Sequence, residues 1–132
     1  MRYPSISIAI ALLFATATAS AQSTNPAVTQ ANIHSTICVK GWSKTVRPTW
    51  ANSNKVKRAM CKAQGMSRCS PGLVLDHVTP IEAGGSPTDA KNLQLQTAVA
   101  GHIKDVQENK ARRDACSGRA TLAEVQSRFK RD

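Results

Sequence analysis

Aromatic side chains are scarce in this 132-residue chain, at 4% of the sequence. Past residue 21 only Trp42, Trp50 and Phe129 remain, which excludes a core built on stacked aromatics. A second long apolar run is also missing after the first twenty or so residues, so no helix is expected to stay in a membrane. Internal repeats and low-complexity tracts are absent, which sets aside repeat arrays. Negative charge is in short supply: eight Asp and Glu stand against eighteen Lys and Arg.

The start of the chain has the features of an export leader. Arg2 provides a positive end, residues 6–19 are apolar and small, and Ala19-Ser20-Ala21 offers a cleavage site. Cleavage after Ala21 would release a periplasmic or secreted protein that begins at Gln22. Its 132 − 21 = 111 residues make one small domain. Such a chain buries about 65% of its unfolded surface, so covalent help with stability is expected. Four cysteines supply it: Cys38, Cys61, Cys69 and Cys116. An even number in an exported domain reads as two disulfides with three possible pairings. The pairing preferred here is Cys61–Cys69 as a local staple and Cys38–Cys116 as a tie from the first segment to the end of a later helix. On the loop-entropy model the long closure contributes on the order of 4 kcal/mol and the short one about 2.5 kcal/mol. A four-cysteine zinc site is the rival, but the spacings match no common zinc pattern. Without Arg2 the net charge is 17 − 8 = +9. That field attracts polyanions, with nucleic acid as the first candidate and an anionic membrane surface as the plainer one.

Residues 22–32 are polar, contain Pro26, and read as a mobile linker ahead of a domain over 33–132. Thr45-Val46-Arg47-Pro48 reads as extended, because a residue before proline is disfavoured in the helical region. Asn52 or Ser53 is expected to cap a helix running to Gln64 with Gly65 as its stop, burying Val56, Met60 and Ala63. Its Lys55, Lys57, Arg58 and Lys62 are either a solvated face or a track for a phosphate backbone. Leu73-Val74-Leu75 reads as a short strand, residues 92–96 as a second strand by their alternation, and residues 98–115 as a helix. On that helix His102, Asp105, Val106 and Asn109 share one stripe. Thr121 and Glu124 form a capping box for a last helix that buries Leu122, Val125 and Phe129.

The first strand delivers Asp76-His77 into a Pro- and Gly-rich loop, and the second strand and helix bring Asn92 and His102. Phosphodiester hydrolysis needs a base for a water nucleophile and a cation for the developing charge. In this set His77 is the better base and Asp76 the better ligand for a hard cation. His102 is placed to complete the metal shell, with Asp105 in reserve, and Asn92 to fix the loop and the His77 ring. Singly, each residue has an ordinary structural use: a loop cap, a half-buried imidazole, a surface histidine, a turn residue.

Asp76-His77-x-x-Pro80-x-x-x-Gly84-Gly85, then Asn92-Leu93, then a helix bearing His102, resembles the HNH endonuclease motif of the ββα-metal nucleases. Val46-Arg47-Pro48, Lys104-Asp105, Glu108-Asn109 and Cys116-Ser117-Gly118 are similar to a small exported bacterial subgroup, which also carries cysteines where Cys38 and Cys116 stand. The likeness covers most of residues 36–130, and its specific part is 75–105. At Gln94-Leu95-Gln96 the chain departs from the subgroup, where Trp-Pro is usual. The resemblance implies an α+β fold with a ββα-metal core and flanking helices. It also implies cleavage of DNA, and of RNA as a second substrate, with one divalent ion: Mg²⁺ or Mn²⁺ first, Zn²⁺ or Ni²⁺ next. His77 would be the catalytic base, Asn92 its structural partner, and Asp76 and His102 the metal ligands. A basic exported module that binds nucleic acid without cutting it is the alternative.

Overall fold

The computed structural model describes residues 23–130, so the leader expected over residues 1–21 lies outside the described residues. A 3-10 turn over Gln30–Ser35 precedes helices α1 (Trp42–Val46) and α2 (Trp50–Ala63). Strand β1 (Leu73–His77), strand β2 (Leu93–Thr97), helix α3 (Ala98–Cys116) and helix α4 (Leu122–Ser127) follow. The fold is mixed α and β. β1 and β2 form a two-stranded antiparallel sheet in which Leu75 faces Leu95, Asp76 faces Gln94 and His77 faces Leu93.

Two strands alone are marginal in water, so the sheet depends on what packs around it. Helix α3 lies on the face that carries Val74, Asp76, Gln94 and Gln96. The two meet at Gly101, where a Cβ would make ordinary contacts at 3.4 Å from Gln96 Nε2 and 3.8 Å from Val74 Cγ2. Helix α2 also packs against both strands. Both disulfides have the preferred connectivity, Cys38–Cys116 and Cys61–Cys69. They are compatible with an oxidising setting outside the cytoplasm.

The apolar core sits to one side of the sheet. Val28, Ile33, Ile37, Ala83, Ala111, Ala115, Leu122, Val125 and Phe129 form it, drawn from the N-terminal turn, the loop after β1, α3 and α4. Thr121 and Glu124 close the expected capping box on α4, at 3.1 Å and 2.7 Å. Among the described residues, no helix is long and apolar enough to cross a membrane.

Three expectations about local structure change. Residues 23–32 are not a loose linker: Val28 is buried in the core, Asn25 N–H donates to Gly84 O at 2.8 Å, and Thr24 bridges Gly85. Residues 23–25 bond the loop after β1. Thr45 and Val46 belong to α1, and only at Arg47 does the chain become extended ahead of Pro48. Helix α2 starts earlier than Asn52, because the Thr49 hydroxyl accepts the Asn52 N–H at 3.3 Å. Its inner face is also different: Val56 and Ala63 are exposed, while Cys61 is buried. The disulfide to Cys69 selects which face turns inward.

Asp114 is the buried charge that joins the two last helices. It accepts from Lys110 at 2.7 Å, Arg128 at 2.8 Å and Arg119 at 3.2 Å. Those cations hold its carboxyl well below the usual range, against the opposing effect of burial. A depressed carboxylate stabilises the fold above its unfolded pKa, and that contribution is lost as pH falls toward the folded value. Asp114→Asn is therefore expected to lower the thermal midpoint at pH 7. The deficit should shrink below about pH 3.8, read by circular-dichroism melts across pH 2–7.

Candidate active site

Adjacent residues on a strand leave by opposite faces, and β1 does this at Asp76 and His77. Asp76 points to the α3 face. Its Oδ2 accepts from Lys104 Nζ at 2.6 Å and from its cross-strand partner Gln94 Nε2 at 2.9 Å. Lys104 also donates to the His77 carbonyl and lies 3.2 Å from Glu108 Oε1. The Phe129 ring closes over the ammonium, with 5.8 Å to its centroid. One half-buried cation thus binds two carboxylates and a main-chain oxygen. Burial raises the Glu108 pKa to about 7, with Lys104 opposing.

His77 points the other way, to the loop over residues 78–92. Its Nε2 lies 2.9 Å from Pro87 O. A carbonyl only accepts, so Nε2 carries the hydrogen and Nδ1 keeps its lone pair. Burial lowers the His77 pKa below its ordinary 6.5, and the positive charge of Arg47 adds to this. The Pro87 contact and Asp76 act the other way and do not prevail. The ring is neutral at pH 7, as a base must be.

The loop that carries Pro87 is fixed by Asn92, which is 1% exposed. Its Oδ1 accepts from Thr79 N–H at 2.9 Å, and its Nδ2 donates to Thr79 O at 3.0 Å and Ser86 O at 2.8 Å. Gly85 completes the closure, because a Cβ there would fall 1.8 Å from Thr79 O. Residues 23–25 lace the outer edge of the same loop, and the Ser23 hydroxyl reaches Asp89.

Arg47 enters from the segment between α1 and α2. Its Nη2 is 2.8 Å from Glu82 Oε1, on the 3-10 turn at Ile81–Ala83. Burial would raise the Glu82 pKa, but Arg47 overcomes it and keeps the carboxylate ionised.

The structure therefore gathers Asp76, His77 and Asn92 at one end of the hairpin. His102 stands apart: its side chain is 83% exposed, with Nδ1 3.8 Å from Asp105 Oδ2. The stripe of His102, Asp105, Val106 and Asn109 faces solvent. The inner stripe is Gly101, Lys104, Glu108, Ala111 and Ala115. Position 104 is two residues, about 200°, round the helix from 102. Among the described residues, no group of three or more His, Cys, Asp and Glu side chains is placed to hold a metal ion. The donor set does not fit a resident divalent ion in this arrangement, since an ammonium already occupies the Asp76 carboxylate.

Lys104, Glu108, Arg47, Glu82 and Pro87 complete the site beyond the residues expected from sequence. Lys104 and Glu108 were detectable as an i, i+4 pair of opposite charge. The Arg47–Glu82 pair spans 35 residues and leaves no local trace. No family model, curated protein or solved structure matches the chain.

Asn92→Ala removes all three loop bonds and strands buried main-chain groups. We expect a loss of about 2–4 kcal/mol in urea unfolding. An unchanged midpoint would show that the loop closes without the carboxamide.

Proposed function

We propose that the protein hydrolyses phosphodiester bonds of nucleic acid as an endonuclease, outside the cytoplasm, with His77 as general base. The observation that carries this reading is the His77 ring itself. A main-chain carbonyl holds it by Nε2, burial and Arg47 keep it neutral, and Nδ1 is left as the acceptor. The resemblance to the HNH motif suggests the substrate class, and the net charge of 17 − 8 = +9 without Arg2 suits a polyanion.

In the step we envisage, His77 Nδ1 takes a proton from water as the water oxygen bonds to phosphorus. The bond from phosphorus to the leaving oxygen breaks, and that oxygen takes a proton from solvent. A positioned base contributes typically 10²–10⁴-fold to such a step. Arg47, oriented by Glu82, offers a planar cation to the phosphate oxygens as charge builds on them. Asn92 acts through the loop: it sets where Pro87 O lies, and so how the ring is turned. Lys104 keeps the Asp76 carboxylate neutralised beside the strand end. An ion shared by Asp76 and His102, as the family resemblance implies, would require Lys104 to leave and α3 to turn His102 inward.

A second reading draws on that ammonium at Asp76: a module that binds nucleic acid and does not turn it over. The two readings separate in a plasmid-nicking assay of disulfide-intact protein, run with Mg²⁺, with Mn²⁺ and with EDTA. We expect nicking by the native chain and at least about a 100-fold loss in His77→Ala. We expect a smaller loss in Arg47→Lys, which keeps the charge but not the fork. Equal nicking by His77→Ala would overturn the assignment of the base. Binding with no nicking under any condition would favour the second reading.

A further inference from the structure

Between Ser23 and Leu75 the chain has eight Lys and Arg residues and no Asp or Glu. Every carboxylate side chain lies from Asp76 onward, so no ion pair formed within the first half neutralises it. Four of these cations converge. Lys57, Arg58, Lys62 and Arg68 line a cleft of about 420 Å³ between α2 and the segment after it, together with Asn54 and Met66. Cys61 and Cys69, joined by their disulfide, also line it. Cys69 Sγ also contacts Lys57 O at 3.7 Å, which keeps the 66–69 segment against the helix. The disulfide joins positions eight apart in sequence, and Lys62 and Arg68, next to its two ends, both line the cleft.

An exposed aromatic continues the line. Trp50, at the first turn of α2, is 81% exposed. Trp50, Asn54, Lys57 and Cys61 follow i, i+4, i+7 and i+11, so they share one face. At 1.5 Å per residue, that face runs about 16 Å from the indole to the disulfide. Burying Trp50 would stabilise a small domain short of aromatics, yet the fold leaves it in solvent beside the cations.

We propose that this face of α2 is a second binding site, which takes a single strand of nucleic acid. Trp50 stacks on a base, and Lys57, Arg58, Lys62 and Arg68 hold the phosphates that follow. An aromatic platform beside a basic groove is what sequence-tolerant strand binding requires. The site stands apart from the base, because the loop from α2 enters β1 at Leu73, while His77 ends that strand. Four residue steps at 3.3 Å put about 13 Å between those two ends. The strand would be anchored at the cleft and cut at the other end of the hairpin. This deepens the nuclease reading and rests on it for the choice of ligand.

The test is fluorescence anisotropy of a labelled single-stranded dT12 oligonucleotide, with all proteins in the His77→Ala background. Binding is then read without turnover, and failure of the nuclease reading does not enter the result. Each phosphate contact contributes about 0.9 to the slope of log K against log salt for duplex and about 0.7 for a single strand. Lys62→Gln/Arg68→Gln should therefore flatten the slope by about 1.4 and weaken binding roughly 25-fold at 0.1 M salt. Trp50→Ala should cost about 5-fold or more and leave the slope unchanged. In a Trp42→Phe variant the oligonucleotide should still quench the remaining indole. Lys40→Gln/Lys44→Gln removes equal charge outside the cleft and should have a much smaller effect. The proposal is overturned if that control loses as much affinity as the cleft pair, or if the cleft pair loses none. It is also overturned if phosphatidylglycerol vesicles bind more tightly than the oligonucleotide through the same residues. Thermal melts of each variant confirm that the comparison is among folded proteins.

Discussion

The carboxamide of Asn92 is the constraint on which the site depends. One buried side chain satisfies the N–H and the carbonyl of Thr79 and the carbonyl of Ser86. It closes a loop whose ends are strands β1 and β2. Inside a protein, unpaired polar groups of this kind cost about 1–3 kcal/mol each, so the loop has one favourable arrangement rather than several. That arrangement aims Pro87 O at the imidazole of His77. A side chain bonded only to main-chain groups of the loop thus decides which ring nitrogen carries hydrogen. Gly85 serves the same closure by the absence of a side chain, since any Cβ would overlap Thr79 O.

Charge is organised around the same hairpin on two sides. On the α3 side, Lys104 binds Asp76 and Glu108, a cation supplied by the chain itself. On the other side burial lowers the His77 pKa, and the charge of Arg47, held by Glu82, adds to it. The core proper lies elsewhere, in the packing of α3, α4 and the N-terminal turn, tied by Cys38–Cys116 and by Asp114 with its three cations. A small domain with few aromatics is stabilised away from the site, which leaves the site free to be polar.

Much of the layout was legible in the sequence because it rests on local signals. The alternation over residues 92–96, found as β2 one residue later, the apolar run at Leu73, the capping box at Thr121 and the short Cys61–Cys69 staple appear as expected. Cys38–Cys116 spans 78 residues and was a choice among three pairings rather than a local signal. Asn92 was legible as a loop-fixing amide by its chemistry: a neutral carboxamide cannot serve as a base but can both donate and accept. The face of α3 was not legible. Val99, Ile103 and Val106 are the large apolar residues in the first half of that helix, yet each is more than 60% exposed. The helix instead turns Gly101, Ala111 and Ala115 inward, where small size permits close packing, with Lys104 and Glu108 between them. Hydrophobicity alone favours the wrong stripe, and the rotation decides that Lys104 rather than His102 meets Asp76. The linker assignment missed because Ser23, Thr24 and Asn25 bond to a loop some 60 residues away and Val28 enters the core, and local composition shows neither.

The most direct test of the account is the tautomer and titration of His77, read from ¹⁵N chemical shifts of ring-labelled protein. The account predicts a neutral imidazole at pH 7 with hydrogen on Nε2 and a bare Nδ1, titrating below its ordinary 6.5. Hydrogen on Nδ1, or a titration above 6.5, would contradict it, because the loop would then not be holding the ring as a base.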